Sequence, residues 1–186
     1  MIIGLAGYAQ SGKDTVAKIL VDHYGFRRVA FADKIKDMVL EMNPIVFIDE
    51  YQRILPLRAA EYVSLKGWEK AKQLPEVREL LQRLGVTART NLGSDIWVKS
   101  ALNQVWGAND HVVITDVRFK NEAEAIKNIY PLNQLWRVVR PGIGAVNDHV
   151  SEHDLDDYEF DFDIYNEGTV LSLHEDIEIL MEDLRV

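Results

Sequence analysis

The stretch Gly7-Tyr8-Ala9-Gln10-Ser11-Gly12-Lys13 has the residue types and spacing of a turn that cradles phosphate. Peptide N–H groups from Gly7 through Ala9, Gln10, Ser11 and Gly12 would converge on an anion at a helix N-terminus, whose dipole favours negative charge. Glycine is required because the turn leaves no room for a side chain beside the phosphates. Lys13 then reaches the β- and γ-phosphates of a nucleotide. The next residue is Asp14, where most such loops place a Ser or Thr for magnesium; here the hydroxyl comes one residue later, on Thr15. Asp14 has two readings of equal weight: a carboxylate orienting magnesium-bound water, or a first-turn acid complementing the helix dipole. A second constellation lies downstream in Thr115-Asp116-Val117-Arg118. Asp116 ends an apolar run and can accept hydrogen bonds from water on magnesium, the plainer reading being a helix cap or surface turn. Arg118, one loop step on, can meet a phosphate.

Such residues need a frame. "MIIGLAG" is a short apolar run ending in glycine, typical of a buried parallel strand. "DTVAKILVDHYG" carries Val16, Ile19, Leu20 and Tyr24 at helical spacing, with Gly25 as its stop. "RRVAFAD" reads as a second strand, after which Asp33 can cap a helix. From residue 43 to about 110 the pattern changes to helix punctuation with few strand signals. There "PEVRELLQRLG" opens on Pro75 and closes on Gly85, and the next helix starts on the N-cap candidate Ser94. Strand and helix patterns then alternate through "HVVITD", "NEAEAIKNI", "LWRVVR" and "FDIYN" to a last helix carrying Leu173, Ile177, Leu180 and Leu184 on one face. The expectation is a single α/β domain over 1–186: a parallel sheet of about five strands covered by helices, with a helical insertion at 43–110. Asp116 would stand at the carboxyl edge of that sheet, where ligands bind in open α/β folds.

Composition sets the outer limits. The 186 residues, 47% hydrophobic, suffice for a real core, and a net charge of −9 argues against broad binding to nucleic acid or anionic membrane. Cysteine is absent, which excludes disulfides and thiolate metal sites. The first apolar stretch is short and without a basic leader, and no run is long enough to span a bilayer, so a cytoplasmic protein is expected.

Gly12-Lys13-Asp14-Thr15 is similar to the loop of nucleoside monophosphate kinases, which tend to carry Gly-Lys-x-Thr and hold magnesium largely through water and the nucleotide's own oxygens. Across its length the chain resembles one family, the phage deoxynucleoside monophosphate kinases. The resemblance rests on "SGKDT", "VAFADKIK", "RELLQRLGVTART", "DIWV", "TDVRFKNEAEAI", "HVSE" and "DIYNEGT", in the family's order. It implies the P-loop nucleoside monophosphate kinase fold, magnesium, and transfer of the γ-phosphoryl of ATP to a deoxynucleoside monophosphate held by the insertion. It also implies the host cytoplasm for a phage-encoded chain, and relatives point to a homodimer. Under it, Lys13 and Thr15 contact donor phosphates, while Asn166 and Gly168 border the donor base. Asp14, Thr15 and Asp116 face magnesium through water. Asp33, Lys34 and Lys36, with Arg78, Gln82, Arg89 and Arg118, are acceptor contacts, and Trp97 is a stacking wall. Plainer readings stand beside these: Arg78 pairing with a glutamate on its own helix, Trp97 in the core, and Asn166 in a turn before an N-cap at Thr169.

In many monophosphate kinases a mobile lid supplies arginines, yet residues 141 to 165, which include the lid-like segment at about 141–160, hold no lysine or arginine. Charge on the moving phosphoryl would then fall to Arg118 and Arg140, with Arg137 as a third. The acidic run itself reads as a solvated face. His149 and His153 are four apart, but without a helix pattern or cysteine a zinc site is not expected. The competing enzyme is a kinase of the same fold acting on a non-nucleotide phosphate such as phosphomevalonate. A guanine-nucleotide switch is disfavoured by the lack of Asn-Lys-x-Asp, and a motor by Asp14. A catalytically dead binding module is disfavoured because Lys13, Asp116 and several arginines are all present.

Overall fold

The computed structural model describes residues 1–50, 53–103, 111–146, 148 and 150–184. His149 and the end of "SDIWVKSALNQVWG" lie outside the described residues. By their internal contacts the described residues form two units, Met1–Phe31 with Ala101–Val186, and Ala32–Ser100.

In the first unit, β1 (Ile2–Ala6) is buried at every residue, as its apolar run requires. It lies in a five-stranded parallel sheet with β2 (Arg27–Val29), β5 (Val112–Ile114), β6 (Gln134–Val139) and β7 (Phe162–Tyr165). The order is β2-β5-β1-β6-β7. β1 pairs with β5 on one side and β6 on the other, in register at Gly4↔Ile114 and Gly4↔Leu135. The chain leaves β1 for the β2 edge and leaves β5 for the β7 edge, so the order reverses between them. That reversal opens a crevice at the carboxyl ends of β1 and β5.

Period-2 alternation gives each face its own helices. Ile3 and Leu5 pack with Val16, Ile19 and Leu20 of α1 (Lys13–Tyr24) and with Leu173, Ile177 and Met181 of α8 (Val170–Asp183). Towards the other face stands Gly4, where a Cβ would lie 2.9 Å from Ile126 of α6 (Lys120–Ile129) and 2.7 Å from Leu135, so close packing there demands glycine. Gly25 ends α1 in the left-handed conformation, and the Thr169 hydroxyl caps α8 by accepting from Ser172 N, as their positions in the sequence suggest. Buried Asn133 fastens the layers: its Oδ1 accepts from Ile2 N at 2.8 Å and its Nδ2 donates to Ile126 O at 2.8 Å.

The second unit departs from the expectation of an all-helical insertion. It begins at Ala32, ahead of residue 43, with α2 (Asp33–Met42). It then forms an antiparallel hairpin from β3 (Ile45–Glu50) and β4 (Arg53–Arg58) before α3 (Ala59–Ala71) and α4 (Pro75–Leu92). Val46 and Ile48 of β3 are buried while Ile45 and Phe47 are exposed. An apolar run whose outward residues are also apolar hides its own alternation, which explains the missed strands. Val39, Val46, Ala59, Ala71 and Val77 form this unit's own core.

Three local expectations are corrected. Asp33 is not the cap of α2 but its first residue, with Ala32 at the N-cap position and Lys36 as its ion-pair partner at 2.8 Å. Gly85 does not end α4, which continues to Leu92 and stops before Gly93. A glycine inside a helix costs about 1 kcal/mol against alanine, and a Cβ here would meet only Ile35, at 3.4 Å, an ordinary contact distance. Ser94 falls in a turn ahead of α5 (Ile96–Leu102), which starts two residues later.

Candidate active site

All five strands of the first unit are parallel, so their carboxyl ends share one edge, and the chain's chemistry-bearing groups gather there. The loop after β1 takes glycine-specific geometry at both ends: Gly7 has φ +132° and Gly12 has φ +111°. A Cβ on Gly7 would stand 2.4 Å from the Val138 carbonyl of β6, and one on Gly12 only 2.3 Å from Asn166 Nδ2. Gln10, at φ +66°, is the loop's one other left-handed residue. Ser11 is 1% exposed, and its Oγ has no partner among the described residues. A buried hydroxyl of that kind is a donor kept for a ligand, and a phosphate oxygen would satisfy it.

Lys13 is the first residue of α1. Its Nζ folds back over the loop and donates to Gly7 O at 2.7 Å and Tyr8 O at 2.6 Å. Burial, and then the neighbouring Arg118 guanidinium, push its pKa down to about 8, against the opposing pull of Asp14, Glu152 and Asp116. The lysine is held in a place prepared for negative charge that the protein alone does not fully supply. Asp14 is exposed in the first turn of α1, and Thr15 N donates to Gly12 O at 2.9 Å.

Asn166 follows β7 and braces the loop. Its backbone N donates to Val139 O at 2.7 Å and its Nδ2 to Ser11 O at 2.9 Å. At Gly168 a Cβ would stand 2.4 Å from Ser172 Oγ, so that hydroxyl would have to turn aside.

Asp116, just past β5, accepts from Phe31 N through Oδ1 at 2.7 Å, tying the ends of β5 and β2 together. Arg118 is held from two sides. Its backbone N donates to Glu122 Oε2 at 2.8 Å, and its guanidinium pairs with Glu152 Oε1 at 2.6 Å. Glu122 is itself 1% exposed and also accepts from Phe119 N at 3.1 Å, which closes the turn carrying Arg118. Arg137 is paired with Asp163 through both Nε and Nη2 and lies over the Phe160 ring at 5.1 Å. Arg140, at the end of β6, is exposed and makes no ion pair among the described residues. Gly7, Tyr8, Ser11, Arg118, Arg140 and Glu152 border a cleft of about 460 Å³.

The acidic segment after β6 is exposed at most of its carboxylates, as a solvated face would be, yet several of them also hold partners. α7 (Val150–His153) and the residues after it dock onto the sheet unit through their carboxylates. Asp154 accepts from Lys120 N at 2.8 Å, Asp157 pairs with Lys120 Nζ, and Asp161 pairs with Lys127 and accepts from Leu135 N at 2.7 Å. Asp156 accepts from the Tyr8 hydroxyl at 3.1 Å and pairs with His153. No group of three His, Asp or Glu side chains fit to hold a metal occurs among the described residues.

In the second unit, the expected acceptor contacts occupy varied positions. Lys34 pairs with Asp37 at 3.0 Å, Arg78 Nε donates to Lys72 O at 3.3 Å, and Arg89 to Ser94 O at 3.2 Å. Gln82 is exposed. Trp97 is 4% exposed and donates through Nε1 to Gly85 O at 3.0 Å, which makes it a packing residue rather than an open wall. Tyr8, Glu122, Asn133 and Glu152 were not singled out from the sequence. Glu122, as a Glu at the third position of a helix opening, is the one with a local signal.

Comparison with known proteins agrees with this geometry. The chain is 28% identical, over 95% of its length and 94% of the relative's, to a protein of Acanthamoeba polyphaga mimivirus provisionally named a deoxynucleotide monophosphate kinase. It is 30% identical to an uncharacterised protein of Ictalurid herpesvirus 1 (strain Auburn), over 58% of this chain and 49% of that one. The dephospho-CoA kinase from Campylobacter jejuni superposes on 98% of the chain and 96% of its own with a TM-score of 0.50 at 13% identity, a likeness of fold. No helix among the described residues is long and apolar enough to cross a membrane. Residues 52–177 match the family described as deoxynucleotide monophosphate kinase. With its phosphate loop, its parallel sheet and that match, the chain belongs to the deoxynucleotide monophosphate kinase family and is a nucleotide phosphotransferase.

Proposed function

We propose that the chain transfers the γ-phosphoryl of ATP to a deoxynucleoside 5′-monophosphate, giving the deoxynucleoside diphosphate and ADP. The observation that carries this reading is the Gly7–Lys13 cradle, with a buried Ser11 hydroxyl that has no partner among the described residues and a half-buried Lys13, beside Arg118 at the switch point of the sheet. An oxygen of the acceptor phosphate attacks the γ-phosphorus, and the bond to the β–γ bridging oxygen breaks, leaving ADP. A phosphate oxygen is already nucleophilic, so no strong general base is needed. The protein's share is positioning and charge.

In this reading the loop amides and Lys13 hold the donor's phosphates. Arg118 and Arg140 meet charge spread over the moving phosphoryl, while Asn166 keeps the loop in shape and borders the donor base with Gly168. Arg78, Gln82 and Arg89, with Asp33, Lys34 and Lys36, hold the acceptor. Magnesium, when bound, neutralises charge on the donor phosphates. It would be held by phosphate oxygens and by water, on which Asp14, Thr15 and Asp116 act. A homodimer and a place in the host cytoplasm belong to the same proposal.

The test is an ADP-release assay with ATP, magnesium and a panel of deoxynucleoside and nucleoside monophosphates, with phosphomevalonate as a further arm. The expected result is release that depends on at least one deoxynucleoside monophosphate. Release with phosphomevalonate alone would replace the acceptor, and release without any acceptor would remove the transfer.

A further inference from the structure

The carboxylates of the segment after β6 serve two kinds of partner. Asp154, Asp157 and Asp161 meet groups of α6 and β6, away from the phosphate loop, and act as anchors. Glu152 differs. Its side chain is 10% exposed, its partner is Arg118 in the wall of the cleft, and its charge is also felt by Lys13. A carboxylate is thus paired with Arg118 and contributes negative charge at Lys13.

A phosphate oxygen pair and a carboxylate have like charge and make the same fork-shaped contact with a guanidinium. Glu152 holds Arg118 through one terminal nitrogen, and a phosphate brought to the same guanidinium in a partly desolvated cleft would repel that carboxylate. We propose that Glu152 is a built-in surrogate for substrate phosphate: it holds Arg118 in the ligand-free protein and surrenders it when a phosphate arrives. The proposal rests on Arg118 being a phosphate contact. On surrender, α7 loses its Glu152–Arg118 tie, while Asp156 on the Tyr8 hydroxyl and the Asp154, Asp157 and Asp161 anchors keep the rest of the segment docked. Substrate charge, rather than cations carried on the segment, would then control this part of the wall.

The test compares calorimetric titrations of the unmodified chain, Glu152→Gln, Asp157→Asn and Arg118→Ala. A non-hydrolysable ATP analogue with magnesium and a deoxynucleoside monophosphate are titrated separately. Removing the competitor should tighten, by about fivefold, whichever ligand brings its phosphate to Arg118. Asp157→Asn, which loosens an anchor without touching Arg118, should change neither affinity. In an Arg118→Ala background most of that gain should vanish, leaving only what the Glu152 charge exerts at Lys13. Unchanged or weaker affinity for both ligands in Glu152→Gln, with Arg118→Ala binding poorly, overturns the surrogate and leaves Arg118 a phosphate contact. Normal binding and turnover in Arg118→Ala overturns the reading of Arg118 itself. A second measurement needs no variant: the ligand should speed hydrogen exchange at amides 150–153, and slower exchange there overturns the surrender.

Discussion

Gly12→Ala probes the cradle at its tightest point. The new Cβ would fall 2.3 Å from Asn166 Nδ2, at a backbone φ of +111° that side chains rarely adopt. Backbone strain of this kind costs about 1–3 kcal/mol. Asn166 must also move, and its 2.9 Å bond to Ser11 O is lost, which adds about 1 kcal/mol. The variant should therefore lose about 2–4 kcal/mol, or about 4–16 °C in Tm for a chain of this size. Asn166→Ala alone loses only the hydrogen bond and its packing, about 1–2 kcal/mol. In the double variant the clash disappears while the strain stays, so the losses should fall short of their sum by about 1 kcal/mol. Thermal and urea unfolding of the four proteins measures that coupling, and titration with ATP follows the cradle itself. Additive losses, or a Gly12→Ala cost below about 0.5 kcal/mol, would refute the claim that Asn166 fixes the loop.

Lys13→Ala should abolish transfer while the chain still unfolds cooperatively, as checked by turnover and melting. Because free Lys13 has its pKa pushed down to about 8 and bound phosphates would restore its charge, kcat/KM for ATP should fall about tenfold per pH unit above that value, and a flat profile to pH 10 would contradict it. The sign for folding is opposite: the unfolded chain keeps the proton up to the ordinary 10.5, so this group makes the ligand-free fold more stable as pH rises from about 8 towards 10.5. Arg140→Ala should lower kcat by about 10³-fold with little change in either KM, whereas Arg118→Ala should lower kcat and also weaken the ligand that brings its phosphate to that guanidinium. Arg137→Ala, which removes the pair with Asp163, should lower melting temperature and leave turnover per folded molecule intact. Arg78→Ala or Arg89→Ala should weaken the monophosphate by about 2–4 kcal/mol, seen as a rise in its KM; a selective rise for ATP would move them to the donor side.

The legible parts of this chain were those encoded locally. The apolar run of β1, the helical spacing of α1, its stop at Gly25 and the cap at Thr169 all express their physics within a few residues. The phosphate loop was legible for the same reason. What escaped depends on partners far away in sequence. Asn166 is 155 residues from the Ser11 carbonyl it holds, and Glu152 is 34 from Arg118. Without those partners, an asparagine reads as a turn and an acidic run as a solvated face. Gly85 misled in another way: glycine after a periodic run usually ends a helix, but here it sits inside α4, where its carbonyl accepts from Trp97 Nε1.

The pairing of β1 also sets an order on how the molecule comes into being. Among the described residues, its buried Ile2, Ile3 and Leu5 belong to a strand whose pairing partners lie at Val112–Ile114 and Gln134–Arg137. A ribosome must therefore make more than a hundred further residues before this strand has anything to pair with. Long-range parallel pairing of that kind is slow, and an apolar strand awaiting it is open to wrong partners. Meanwhile the Ala32–Ser100 unit carries a core of its own and can condense locally. A nascent chain interrupted near residue 110 would thus be a folded insertion trailing a sticky strand, and yield in the cell would hinge on chaperone cover during that interval.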